Sequence, residues 1–150
     1  MAASATSHRA GPRRDATGAQ ALLASRGARA TRARVDVLAV LLATGDALSH
    51  HDVERRLPRG HGIDRVTLYR VLEWLTAQGL AHKVASDDRI WRFSAAGRAG
   101  DGTHAHFRCS DCGRVICLEH ARMPAIPLPE GFRRADVEIT VKGTCDACRP

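Results

Sequence analysis

Aromatic residues make up only 4% of the 150-residue chain, so its core must be mainly aliphatic and open to a further staple, for which a metal would serve. No apolar run approaches the roughly 20 residues that a membrane-spanning helix needs, and the first residues carry no apolar leader segment. A soluble cytoplasmic protein with no membrane partner is therefore expected. Acidic residues are outnumbered, 16 against 23 basic ones, and the +7 charge is carried by Arg far more than Lys. A polyanion such as nucleic acid is the leading partner and an anionic membrane surface the second. The cysteine count is five, an odd number for complete pairing, and thiols stay reduced in the cytosol, so metal ligation is favoured over disulfides. The hydrophobic share of 44% excludes a disordered chain.

Residues 1–18 are small, polar and basic without periodicity and read as a flexible arm, either solvated or touching phosphates. A helical pattern begins at Thr31, with Val35, Leu38, Leu41 and Leu42 on one face and Gly45 as its stop. Ser49 to Asp52 resembles a capping box for a short helix that Pro58 ends; His50 and His51 fit its exposed first turn. Asp64 caps a third helix running to Gln78, with Leu68, Val71, Leu72 and Leu75 facing the core. Arg65, Thr67, Tyr69 and Arg70 then stand at its outer, N-terminal half. A short helix, a turn and such a helix suit major-groove reading, in which arginine pairs with guanine and Thr or Tyr reaches phosphate or a thymine methyl. The same pattern alone also fits an ordinary solvated face.

Two strands follow, Leu80–Val84 and Ile90–Phe93, around the polar turn Ser86–Arg89. Three helices and a hairpin make a winged helix over residues 19–94, with Lys83, Arg89 and Arg92 on the wing; Lys83 and Arg92 are candidate phosphate contacts. Residues 95–102, small and aperiodic, form the expected hinge to a zinc-binding dimerisation domain at 103–150. The fold class is α+β, with a small C-terminal α/β domain.

In that second part the chemistry changes. Cys109-Ser110-Asp111-Cys112-Gly113 can bend round one tetrahedral Zn²⁺, and Cys145-Asp146-Ala147-Cys148 supplies a second pair. The 32 residues between the pairs exceed a simple zinc ribbon, so strands must lie between them, at Val115–Leu118 and Val137–Val141. A structural four-cysteine zinc site competes here with redox dithiols or buried thiols. His104 and His106 alternate onto one strand face. With His82 of the wing and Cys117 they could form a second, regulatory zinc site if their strands converge at the hinge, a set that suits Zn²⁺ better than Mg²⁺ or Mn²⁺. Taken singly, His82 also reads as a core histidine and Cys117 as a small buried hydrophobe.

A Thr-Arg-Ala-Arg-rich helix, Arg-Val-Thr-Leu-Tyr-Arg-Val-Leu, Gly-Leu-Ala-His-Lys-Val, His-Ala-His-Phe-Arg-Cys-Ser-Asp-Cys-Gly-Arg-Val and the late Cys-Asp-Ala-Cys follow in order. This order resembles the ferric uptake regulator family, and within it the zinc uptake regulators in particular, over roughly Ala21 to Cys148. The resemblance implies a homodimer of winged-helix and dimerisation domains that metal at the hinge closes onto double-stranded operator DNA. It implies DNA contacts from Tyr69 and Arg70 in the Thr-X-Tyr-Arg motif. Cys109, Cys112, Cys145 and Cys148 match the family's structural zinc ligands. His82 matches a sensory-site histidine of zinc uptake regulators, His104 and His106 match the family's histidines just before the first cysteine pair, and Cys117 stands where a sensory glutamate is usual.

Ala47 replaces a histidine of iron-type members, Arg92 to Ser94 lack their glutamate, and Ser94 replaces a cysteine frequent in zinc-type members. Ligands for an additional site near Thr103, Ala105 and Pro124 are missing. Pro124, Pro127 and Pro129 interrupt a stretch where the family has a helix. A thiolate in place of a carboxylate favours Zn²⁺ over Fe²⁺ and leaves iron or peroxide sensing as the alternative. A zinc hydrolase is a further alternative of another class, but catalysis needs a placed base, and only Asp101 is near the His-X-His pair. A zinc-responsive repressor of zinc uptake genes with two zinc sites per subunit, not an enzyme, is the expectation.

Overall fold

A computed structural model describes residues 16–96, 103–118, 121–122, 124–135 and 137–150, with only the backbone of Thr103 and His104. Residues 1–15 of the expected arm and 97–102 of the expected hinge lie outside the described residues.

A helix that sequence reading omits comes first. Helix α1 spans Ala16–Ser25, buries Gly18, Ala19 and Leu23, and ends before Gly27, whose φ is 63°. Gly18 therefore belongs to the core and not to the arm; ten residues with only two large apolar ones, Leu22 and Leu23, offer too little periodicity to announce a helix. Helix α2, Arg32–Leu42, starts where expected, with the Thr31 side chain accepting from the Arg34 N–H. It buries Val35, Val37, Leu38 and Leu41, so Val37 takes the core place expected of Leu42.

Helix α3, His50–Arg56, has the full capping box: Ser49 Oγ accepts from the Asp52 N–H, and the Asp52 carboxylate accepts from the Ser49 N–H. Helix α4, Arg65–Ala77, is capped by Asp64 and packs Leu68, Val71, Leu72 and Leu75 inward. Gly79, at φ 65°, ends it in the left-handed conformation that favours glycine. Four helices, not three, thus carry the wing.

The wing is a three-stranded antiparallel sheet in the order β1-β3-β2, with β1 at Leu48–Ser49, β2 at Ala81–Val84 and β3 at Arg92–Ala95. Strand β3 lies two residues later than expected, because Phe93 must point inward, where it is 1% exposed, while Ile90 and Trp91 stay at the surface. The second sheet has the order β5-β4-β6, with β4 at Thr103–Cys109, β5 at Val115–Cys117 and β6 at Val137–Gly143. Strand β5 is antiparallel to β4 and β6 parallel to it. The parallel pairing explains the long gap between the cysteine pairs, since such a return requires a crossover. Within that crossover residues 124–135 form neither helix nor strand, as the prolines imply, and expose Ile126, Leu128 and Phe132.

The two sheets meet. The Ala47 N–H donates to the Val115 carbonyl at 2.7 Å, Asp46 bridges to Ile116, and Ala47, Val84 and Val115 form a small apolar cluster. Ala47 is a packing residue of this junction.

Candidate metal centres and nucleic-acid face

The turn after β4 and the turn after β6 bring the four cysteines together. The Sγ atoms of Cys109, Cys112, Cys145 and Cys148 all lie within 4.8 Å of one another, and those of Cys112 and Cys145 are 3.7 Å apart. A tetrahedral zinc with Zn–S bonds of about 2.3 Å requires S···S edges of about 3.8 Å, so the donor set and spacing fit this ion. Gly113, at φ 72°, makes the knuckle. The backbone N–H groups of Cys112 and Cys145 pull the Cys109 thiol down to about 6. Hydrogen bonds with Cys112 and then Cys145 push Cys148 up to about 12. Only part of the set is thus ready as thiolate near neutral pH, and zinc must displace the remaining protons.

The second cluster joins the two sheets. His106 and Cys117 are direct cross-strand partners on β4 and β5, and His82 reaches them from β2 of the wing. The Nε2 atoms of His82 and His106 are 3.2 Å apart, and one ring nitrogen of each histidine and the Cys117 sulfur lie within 4.8 Å of one another. The nitrogen spacing alone suits a hydrogen bond between imidazoles as well as a tetrahedral zinc, whose nitrogen ligands stand about 3.3 Å apart. Convergence of a thiol on the pair favours a metal, since imidazole and thiolate together are donors that Zn²⁺ accepts. His106 is 2% exposed, and His82 and Cys117 are half-buried. His104 lies two residues before His106 in β4, in register with Glu138, and its side chain is outside the described residues. Ser94, in register with His82, is buried.

Ion pairs that single residues do not announce flank this cluster. Asp87 of the wing turn binds Lys142 of β6 at 2.7 Å and Arg108 of β4 at 2.9 Å. Lys142, followed by Arg108, holds its carboxyl below the usual carboxylate range. Arg114 meets Asp46 at 2.9 Å and Asp146 at 3.5 Å. No sequence signal points to these pairs, because they depend on how the sheets dock.

On the outer face of α4, Arg65, Val66, Tyr69 and Arg70 are exposed and Thr67 is half-buried. Thr67 donates its hydroxyl to Asp64, and the Tyr69 hydroxyl meets His50 Nδ1 at 3.0 Å. This contact explains His50 as a neighbour of the helix and not a lone first-turn residue. The expected wing cations are engaged elsewhere: Lys83 binds Glu73 at 2.7 Å and Arg92 makes a two-pronged pair with Asp88 at 2.7 and 3.0 Å. Arg89 stays exposed at the turn, at φ 59°.

A four-helix winged fold whose second sheet carries four cysteines able to ligate a metal defines a class of protein, the winged-helix proteins with a metal-ligating second sheet. The family model described as "Ferric uptake regulator family" matches residues 25–141, and the chain belongs to that family. It is a transcriptional regulator, not an enzyme. Similar proteins include the zinc uptake regulation protein of Mycobacterium tuberculosis, 29% identical over 85% of this chain and 99% of the relative. Another is the transcriptional regulator FurA of Mycobacterium bovis, 30% identical over 80% of this chain and 82% of the relative. In fold, the chain is similar to a zinc uptake regulator complexed with zinc and DNA, with a TM-score of 0.62 at 24% identity over 89% of this chain and 91% of that one. Among the described residues no helix is long and apolar enough to cross a membrane.

Proposed function

We propose that the chain is a zinc-responsive transcriptional repressor that binds double-stranded operator DNA as a zinc-loaded homodimer in the cytoplasm and controls zinc uptake genes. The observation that carries this reading is the meeting of His82, from the wing, with His106 and Cys117, from the second sheet. A metal held there ties the DNA-binding part to the rest of the subunit, so its free energy of binding biases the relative placement of the two parts. The imidazole and thiolate donors, together with relatives named for zinc uptake regulation, support zinc as the metal.

Each subunit then holds two zinc ions. Cys109, Cys112, Cys145 and Cys148 take the structural one; His82, His106 and Cys117, joined by His104, take the regulatory one. The division into a winged-helix domain at 19–94, a hinge at 95–102 and a dimerisation domain at 103–150 gives each zinc a separate task. Arg65 and Arg70 read base edges, while Thr67 and Tyr69 reach phosphate or a thymine methyl. Lys83 and Arg92 reach phosphate only by giving up Glu73 and Asp88, and so contribute less.

The test is mobility shift of a duplex selected from a random pool by the zinc-loaded chain, titrated separately with Zn²⁺, Fe²⁺ and Mn²⁺. Retardation at the lowest free concentration of Zn²⁺ is expected. Retardation without metal, or equally with Fe²⁺, would contradict the reading.

A further inference from the structure

We propose that Asp87 is a positioning residue for the regulatory metal site: its carboxylate, clasped by Arg108 and Lys142, holds the wing against the second sheet so that His82 meets His106 and Cys117. The inference rests on the zinc reading of that cluster. Arg108 and Lys142 are in-register partners on β4 and β6, and Arg108 follows His106 by two residues. Residues two apart on a strand share a face, so the clasp and the metal ligands of the sheet lie side by side on the surface that the wing covers. On the wing, Asp87 follows His82 by five residues, at the turn that β2 leads into. The hairpin is therefore pinned at two points, by ligands at the strand and by charge at the turn.

Both cations reach the same carboxylate oxygen, Asp87 Oδ2, at 2.7 and 2.9 Å. The cleft between turn and sheet is lined by Ala85, Ser86, Asp87, Glu138, Thr140 and Lys142, so a second acid, Glu138, shares it. Among the described residues, Ala47 to Val115 and Asp46 to Arg114 fasten the segment before β1 to β5 and its approach, Val84 at the end of β2 packs with Ala47 and Val115, and Asp87 supplies the charged contact of the β2 turn. When only a fraction of the protein is in the arrangement that can ligate, apparent affinity falls by that fraction. A clasp that favours the arrangement without metal raises zinc affinity without touching zinc.

The Asp87 and Lys142 side chains are 66% and 58% exposed and Arg108 20%, so the effect is modest and salt-dependent. The experiment is zinc competition against a chromophoric chelator, using full-length protein with its four-cysteine zinc in place. Asp87→Asn should weaken the second zinc roughly three- to tenfold at low salt, and its isotherm should converge with wild type near 1 M salt, where charges are screened within about 3 Å. Lys142→Gln should weaken it less and add little in the Asp87→Asn background, and Asp87→Glu should recover part of the loss. Wild type taking up two zinc ions with an unshifted Asp87→Asn isotherm overturns the inference alone. Wild type taking up one zinc overturns the regulatory site and the inference with it.

Discussion

At the scale of single residues, side chains with similar sequence signals have different surroundings. Arg70 and Arg92 both read as DNA contacts, yet Arg70 is exposed on α4 while Arg92 is locked onto Asp88 with its side chain 14% exposed. Arg70→Ala should therefore weaken binding to a selected duplex by roughly 1–3 kcal/mol and binding to random DNA much less, as measured by fluorescence anisotropy. Equal losses on both duplexes would place Arg70 on phosphate instead of a base. The cysteines differ among themselves as well. Because Cys148 is pushed up to about 12 by its thiol neighbours, zinc uptake by the four-cysteine centre must release protons. A pH-stat titration of zinc-free protein at pH 7 should record that release.

At the scale of elements, helix starts were the most legible feature. Ser49 and Asp64 each cap the helix they were expected to cap, and Thr31, where a helical pattern was expected to begin, caps α2, since a capping side chain acts within three residues of its partner. Asp64 shows the electrostatic consequence: the Thr67 N–H, and after it the Thr67 hydroxyl, lower its pKa. A carboxylate lowered on folding contributes stability above its unfolded pKa, near 4, and loses it as pH falls through the folded value. The Tm gap between wild type and Asp64→Ala should thus be full at pH 7 and shrink below about pH 4. A gap independent of pH would assign the effect to helix geometry instead of the charge.

The four-cysteine centre is also an element-scale feature, because its two turns are held at the ends of parallel strands. Cys109→Ser or Cys148→Ser should yield protein that loses this zinc and fails to dimerise or fold its second sheet, as judged by metal content and sedimentation. A stable zinc-free dimer would remove the structural role. Helix α1 and strand β1 were not legible. The first carries only two large apolar residues, Leu22 and Leu23, and no cap that stands out, and the second is two residues long.

At the scale of the molecule, legibility depended on whether a contact follows from spacing or from docking. The four cysteines are visible in the sequence because paired knuckles carry their own geometry. His82, His106 and Cys117 were visible only as candidates, since each alone is as well explained by packing and only the meeting of the sheets brings them together. The ion pairs of Asp87 and Arg114 had no signal at all, because a charge in a turn has no period and its partner lies on another sheet.

If metal at this junction sets DNA affinity, linkage requires that DNA tighten zinc binding by the same factor by which zinc tightens DNA binding. The most direct measurement is a zinc titration of DNA binding, by fluorescence anisotropy on the selected duplex, for wild type, His82→Ala and Cys117→Ser. Both variants are predicted to remain folded dimers that keep the four-cysteine zinc, with weak DNA binding that no longer responds to zinc. If both respond at the wild-type zinc concentration, the three residues are packing residues of the junction and the regulatory site lies elsewhere.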